Sequence, residues 1–360
     1  MTFRGADPTL LDAPARAIKI AGMNLEQSHY SAFGLVRDML ATADVIANFN
    51  ADQAKDTARQ IATVEKLHLT GEGSSRIFPA KHAMMQARRS GWKLALHTDA
   101  GRQSQEYDLT DWAVFAASNS GKTSEVIKLF NDLKSKGHNH RYGLTASDGS
   151  KLGELSNQCY VLKCGPEGAV AATKSVVEQA LFYHALLEHV AGKPALNAKL
   201  KTLGSQVREA LTTPIDPKLT DKIAKAGTIY FAGRNDGVAE ELTLKTNEIT
   251  RKKSDYLEGT YAVHGIEEVM NADDVVIWVD PYEDSEQKFT DVLAKGVGLT
   301  VIAISDRQTS FPTIRVPKSE LSSYVSMAAG WNLLVEIGVK LGINLDKPVR
   351  ARKVGNEFVG

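Results

Sequence analysis

The sequence predicts an α/β protein made of two consecutive parallel sheets, each doubly wound in the flavodoxin-like manner with helices on both faces. Three observations carry that expectation. Short apolar runs of strand length alternate with longer segments whose apolar residues recur at helical spacing. Strands separated by helices pair in parallel and bury both faces. The order then restarts after Thr212-Thr213-Pro214-Ile215-Asp216-Pro217, where two prolines break the periodicity, so the second half repeats the plan of the first.

Composition bounds the function. A chain of 360 residues suits two domains, and 43 basic against 43 acidic residues leave no charge excess to draw nucleic acid or an anionic membrane. A small-molecule partner is expected instead. Cys159 and Cys164 are too few for a disulfide framework and lack metal-ligand spacing. They read as buried thiols in a reducing compartment. Met1 to Ile20 lacks the apolar centre of a signal peptide, and no apolar run reaches membrane-spanning length. The expected localisation is cytoplasmic.

Taken in order, residues 1–48 form a helical arm, with Phe33, Leu35, Val36, Met39, Leu40 and Val45 as its apolar positions. The first sheet domain is expected over 49–212, the second over 213–343, and a tail over 344–360. A strand at Lys66–Thr70 runs into Gly71-Glu72-Gly73-Ser74-Ser75-Arg76 and a helix from Ile77 to Arg89. Arg76 stands where a dinucleotide fingerprint needs a small residue, so this turn reads as one wall of an anion site. A strand at Trp92–His97 precedes the buried run Asp111–Ala117.

The turn that follows, Ser118-Asn119-Ser120-Gly121-Lys122-Thr123, opens a helix whose apolar face holds Val126, Ile127, Phe130 and Leu133. Free backbone N–H groups and the positive end of the helix dipole meet there with several hydroxyls and one lysine, which is the chemistry of an oxyanion cradle. A nucleotide P-loop fits poorly, because Ala116 occupies the position of its first glycine. A bare helix cap uses one hydroxyl, and this turn offers at least three. Strands at Tyr142–Thr145 and Cys159–Cys164 follow, then the small-residue loop Gly165–Lys174 and a helix to about Ala191.

In the second half, strands are expected at Thr228–Asn235, Asp274–Asp280 and Leu299–Ile304, with a helix around Glu286–Leu293. Its second long strand ends in Asp280-Pro281-Tyr282-Glu283-Asp284, which repels an anion. The helix after Arg234 puts Glu241, Lys245 and Glu248 on one face. Read alone, that is a solvated helix face with ordinary ion pairs, His264 is a loop histidine, and Lys353 is a solvated charge near the C-terminus.

Together, these residues resemble the sugar isomerase (SIS) domain family, and within it the tandem isomerase half of glucosamine-6-phosphate synthase, over nearly the whole chain after the arm. Ser118-Asn119-Ser120-Gly121-Lys122-Thr123 is similar to the family's phosphate turn, Gly73-Ser74-Ser75 to its Gly-Thr-Ser wall, and Val170-Ala171-Ala172-Thr173-Lys174 to its Val-Ala-Ser-Thr-Lys loop. Lys245 and Glu248 match its helical lysine and base, His264 its ring-opening histidine, and Lys353 its C-terminal substrate-contacting lysine. The resemblance implies an aldose–ketose isomerase, without a glutaminase domain, for a six-carbon sugar bearing a terminal anion. It implies no metal or organic cofactor and a homodimer in which His264 serves the neighbouring subunit. Ser74, Ser75, Ser118, Asn119, Ser120, Lys122, Thr123 and Val170 would bind substrate, and Glu248, His264, Lys245 and Lys353 would carry the chemistry. An amino-sugar-phosphate deaminase or fructosamine-phosphate deglycase would use the same residues, and a non-catalytic sugar-phosphate sensor would keep only the cradle. The chain departs from the pattern in the polar run Arg251–Tyr256, in Tyr261-Ala262-Val263 before His264, and at Lys122, which replaces a common acidic residue. The added charge favours a phosphate dianion or a sulfonate.

Overall fold

The computed structural model describes residues 22–350 together with Glu357 and Phe358. The first half runs α1 (Ser28–Ser31), α2 (Gly34–Ala47), α3 (Lys55–Ala62), β1 (Lys66–Gly71), α4 (Ile77–Arg89), β2 (Ala95–Ala100), α5 (Gly101–Ser104), β3 (Ala113–Ala117), α6 (Ser124–Ser135), β4 (Arg141–Thr145), α7 (Lys151–Leu155), β5 (Gln158–Val161) and α8 (Lys174–Val190). The second runs α9 (Leu200–Thr212), α10 (Pro217–Lys225), β6 (Thr228–Gly233), α11 (Val238–Thr250), β7 (Lys253–Glu258), β8 (Val275–Val279), α12 (Glu286–Phe289), β9 (Thr300–Ser305), β10 (Thr313–Arg315) and α13 (Ser322–Lys340).

Both sheets are wholly parallel and share one strand order, β2-β1-β3-β4-β5 in the first and β7-β6-β8-β9-β10 in the second. The central strands β3 and β8 are buried at every residue, as strands covered on both faces must be. In this order the chain reverses direction across the sheet between the first and third strands, and the crevice at their carboxyl ends is where such sheets bind ligands. The duplicated plan expected from the sequence is present. Only four residues, 213–216, separate α9 from α10, because Pro217 opens α10 at its first position and the Asp216 carboxylate caps it by accepting from Lys218 N at 2.9 Å.

The two halves share a core. Phe78 of α4 packs edge-on against Tyr324 of α13 with ring centroids 5.3 Å apart. Gly237, at φ +88°, brings the start of α11 so close to α4 that a β-carbon there would stand 2.6 Å from the Ile77 carbonyl oxygen. That approach sets α11 against the carboxyl ends of the first sheet. Among the described residues, no helix is long and apolar enough to cross a membrane. Cys159 and Cys164 are free thiols that are only partly buried, less so than expected. Burial is still the main reason both are hard to ionise, with Cys159 pushed up to about 11.

Candidate active site at the first switch point

The cradle follows directly from β3. Ser118 is buried, and its N–H donates to the Leu144 carbonyl at 2.9 Å. The chain then folds over Gly121, whose φ of +65° and tight fit leave no room for a side chain: a β-carbon would lie 2.3 Å from Ser150 Cβ. The Ser118 and Thr123 hydroxyls lie 2.7 Å apart, and Ser120 Oγ accepts from Lys122 N at 3.2 Å. Thr123, at the N-cap of α6, makes no side-chain capping bond, so no N-cap hydroxyl occupies the first-turn N–H groups of this 12-residue helix. Asn119 Oδ1 is buried with no hydrogen-bond partner among the described residues. Lys122 is exposed, and its ammonium makes no ion pair among them.

The second wall is the short turn Gly73–Ser75 after β1. Here the two halves meet. Lys245 of α11 is fully buried, and its Nζ donates to Ser74 Oγ at 2.7 Å and to Glu248 Oε2 at 2.7 Å, with Glu241 Oε1 at 3.2 Å. Burial opposes the charge on Lys245, but the carboxylates of Glu248 and Glu241 outweigh it and hold the ammonium above the ordinary lysine range. Glu241, also fully buried, is raised toward its protonated form, chiefly by loss of water and against the pull of Lys245. Glu248 keeps about 30% of its side chain exposed, so of the three it is the one that can reach a ligand. Ser75 is tied more loosely, accepting from Gln179 Nε2 at 3.5 Å.

Val170 lies in the loop between β5 and α8, where its N–H donates to the Asp346 carbonyl at 3.2 Å. Lys174, at the start of α8, pairs with Asp38 of α2 at 2.8 Å. Glu357 forms an antiparallel bridge with Thr123, and Phe358 N donates to the Lys122 carbonyl at 2.8 Å, so part of the C-terminal segment lies on the cradle turn itself. Lys353 lies outside the described residues. His264 is exposed and has no hydrogen bond to this constellation among the described residues; its ring Nε2 lies 3.3 Å from Lys288 Nζ.

The structure thus gathers Ser74, Lys245 and Glu248 into one cluster and Ser118, Asn119, Ser120, Lys122 and Thr123 into one turn, while His264 stands apart. Two residues in this region have no role in the sequence reading. Glu241 shares the helix face of Lys245 and Glu248 by its spacing, which by itself assigns it no function, and Arg251 stands in the polar run 251–256. The second switch point is filled from within: Arg234 pairs with Asp280 at 2.6 Å and covers the Tyr282 ring at 4.3 Å. A cavity of about 580 Å³ beside Tyr107, Leu129 and His138 lies at the amino ends of the strands and holds none of the predicted site residues. Among the described residues, no group of three or more His, Cys, Asp or Glu is placed to hold a metal ion.

Among solved structures, the chain is similar to the C-terminal domain of glucosamine-fructose-6-phosphate aminotransferase from Francisella tularensis, with a TM-score of 0.72 and 16% identity over 88% of this chain and 98% of that one. The chain has the tandem SIS-domain fold. The same SIS arrangement is shared with a glucosamine-6-phosphate deaminase from Thermotoga maritima (TM-score 0.71, 19% identity, 89% and 97% covered). It is shared too with tagatose-6-phosphate ketose/aldose isomerase from Escherichia coli (TM-score 0.70, 15% identity, 90% and 98% covered). In sequence, the chain is 25% identical over 259 residues to the isomerizing glutamine–fructose-6-phosphate aminotransferase of Aeropyrum pernix, covering 65% of this chain and 42% of the relative. It is 29% identical over 164 residues to that of Clostridium perfringens, covering 42% and 27%. The chain therefore spans less than half of the length of these relatives. No family model matches it.

Proposed function

We propose that the chain is an aldose–ketose isomerase of a six-carbon sugar bearing a terminal anion, a hexose or hexosamine 6-phosphate or a 6-sulfonated hexose. The observation that carries this reading is the buried ammonium of Lys245, held between Ser74 on one wall and the half-open carboxylate of Glu248 on the other. The anion would sit on Ser118–Thr123 and the Gly73–Ser75 wall, with Lys122 adding charge and Val170 bounding the sugar. Glu248 would then move a proton between C1 and C2, and Lys245 would stabilise the oxyanion that develops on the enediol. His264 would open the ring by passing a proton between the ring oxygen and the anomeric oxygen. Its exposed position, on a surface that also bears the half-exposed Tyr261 and the largely exposed Val269, supports a homodimer in which it serves the neighbouring subunit's site. Lys353 would meet the open-chain carbonyl, as a polar contact or a Schiff base.

The decisive experiment incubates the protein in heavy water with hexose and hexosamine 6-phosphates and a 6-sulfonated hexose, and reads deuterium at C2 together with any released ammonia. Label at C2 of one sugar is expected; no label in any would end the isomerase reading. Ammonia would instead favour the deaminase that shares this fold. Glu248→Gln should keep sugar binding while turnover falls roughly 10²–10⁴-fold. For the dimer, Glu248→Gln and His264→Asn chains, each inactive alone, should regain activity on mixing. Failure of that complementation would place His264 in its own subunit's chemistry or outside it.

A further inference from the structure

The helix that carries Lys245 and Glu248 ends on an arginine in the left-handed conformation. Arg251 has φ +59° and ψ +13° at the C-cap of α11, a position where glycine or asparagine avoids strain on the β-carbon. Its side chain is tied through one nitrogen. Nη2 donates to the carbonyls of Asn344 at 3.0 Å and Lys347 at 3.1 Å, while Nε and Nη1 are buried with no hydrogen-bond partner among the described residues. Glu248, one turn earlier, lies within electrostatic reach and opposes the loss of charge that burial alone would favour.

The carbonyls that Arg251 holds belong to a segment with ties on its other side. Asn344 Oδ1 accepts from the N–H groups of Asp346 at 3.0 Å and Lys347 at 3.1 Å, which folds the segment into a turn. The Asp346 carboxylate accepts from Gly34 N and Leu35 N at 2.8 Å each and caps α2, and the Asp346 carbonyl accepts from Val170 N. The 344–347 turn is therefore a strut. One side rests on the helix of the proposed base, and the other on the Val170 loop and α2. A strained residue that survives in a structure is held there by its surroundings, and such residues concentrate where geometry serves function.

We propose that Arg251 is a positioning residue of the site: through Asn344 and Lys347 it locks α11, and with it Lys245 and Glu248, to the loop around Val170. Its catalytic consequence rests on the isomerase reading above, whereas the mechanical tie does not. The test uses Arg251→Gly and Arg251→Asn, which both accept a left-handed backbone, and Arg251→Lys, which keeps the charge but loses the planar fork. In all three, amide hydrogen exchange at Gly34, Leu35 and Val170 should quicken by about tenfold or more while amides of β9 stay protected. The melting temperature of Arg251→Gly should stay within about 5 °C of the parent, because relieved strain offsets the lost bonds. The rate of C2 deuteration at saturating sugar should fall about tenfold or more with KM nearly unchanged, and Arg251→Lys should not rescue it. Unchanged exchange at the three amides would show that the tie is not made. Quickened exchange with unaltered turnover would remove the positioning role. A parent chain that labels no sugar would sink the isomerase reading, and Arg251 would then be judged on the exchange rates alone.

Discussion

Lys245 concentrates what the single residue contributes. A fully buried ammonium is tolerable only with its charge balanced and its N–H groups bonded; Glu241 and Glu248 supply the charge from one side, and Ser74 accepts a hydrogen bond from the other. Lys245→Met should therefore cost about 3–5 kcal/mol in urea unfolding, since it leaves Glu241 buried without its counter-charge. The double change Lys245→Met with Glu241→Leu should recover much of that loss, because both buried charges are then gone. Equal instability in the single and double variants would mean the pair is not coupled as drawn. The shared face of Glu241, Lys245 and Glu248 was legible from the i, i+3 and i+4 spacing. The bond to Ser74 was not, because the partners are 171 residues apart and meet only once α11 docks on the first sheet. The grip of Arg251 on Asn344 and Lys347 was hidden for the same reason.

At the scale of elements, the cradle turn was the most legible part of the chain, because a buried strand, a glycine at positive φ and a helix start leave their marks within a dozen residues. Gly121→Ala should lower stability by roughly 1–2 kcal/mol from the left-handed backbone alone, more if Ser150 cannot move, and should raise KM for the anionic sugar. A thermal melt paired with initial rates checks both; an unchanged KM would place the anion elsewhere. Strand edges leave weaker marks. The strand expected at Trp92–His97 lies at Ala95–Ala100, because Gly91 ends α4 at φ +67° and residues 92–94 carry the chain from helix to sheet before Ala95 N pairs with the Glu65 carbonyl. β7, Lys253–Glu258, lay in a run noted only for its polarity: it is an edge strand with Lys253, Asp255 and Glu258 exposed, so it lacks the apolar run of a central strand. The three residues of β10 are too few to show any period.

For the whole molecule, the informative feature is the seam between the two halves, where burial is deep and the buried polar groups include a histidine as well as the Lys245 cluster. His82 of α4 is completely buried there, stacked edge-on to Tyr324 of α13 with centroids 4.7 Å apart and 5.6 Å from the His184 ring of α8. Neither ring nitrogen has a hydrogen-bond partner among the described residues. The charged form is opposed first by burial and then by His184 and Arg89, so the ring stays neutral well below the ordinary histidine range. The Glu188 carboxylate beside this cluster is turned to the Ala195 and Leu196 N–H groups and to His184. Because the folded state resists a proton that the unfolded chain accepts below about pH 6.5, the stability tied to a neutral His82 is full above that pH and drains away as pH falls. The loss from this residue should begin near pH 6.5 and grow as pH falls further. His82→Leu should flatten that part of the urea-unfolding profile by about one proton's slope, while the share of His68, which burial lowers to about 4, drains over the same window and on down to about pH 4 in parent and variant alike. If parent and variant lose stability in parallel down to pH 5, the seam is not where acid acts, and the tie between the halves must be sought in the carboxylates around Lys245.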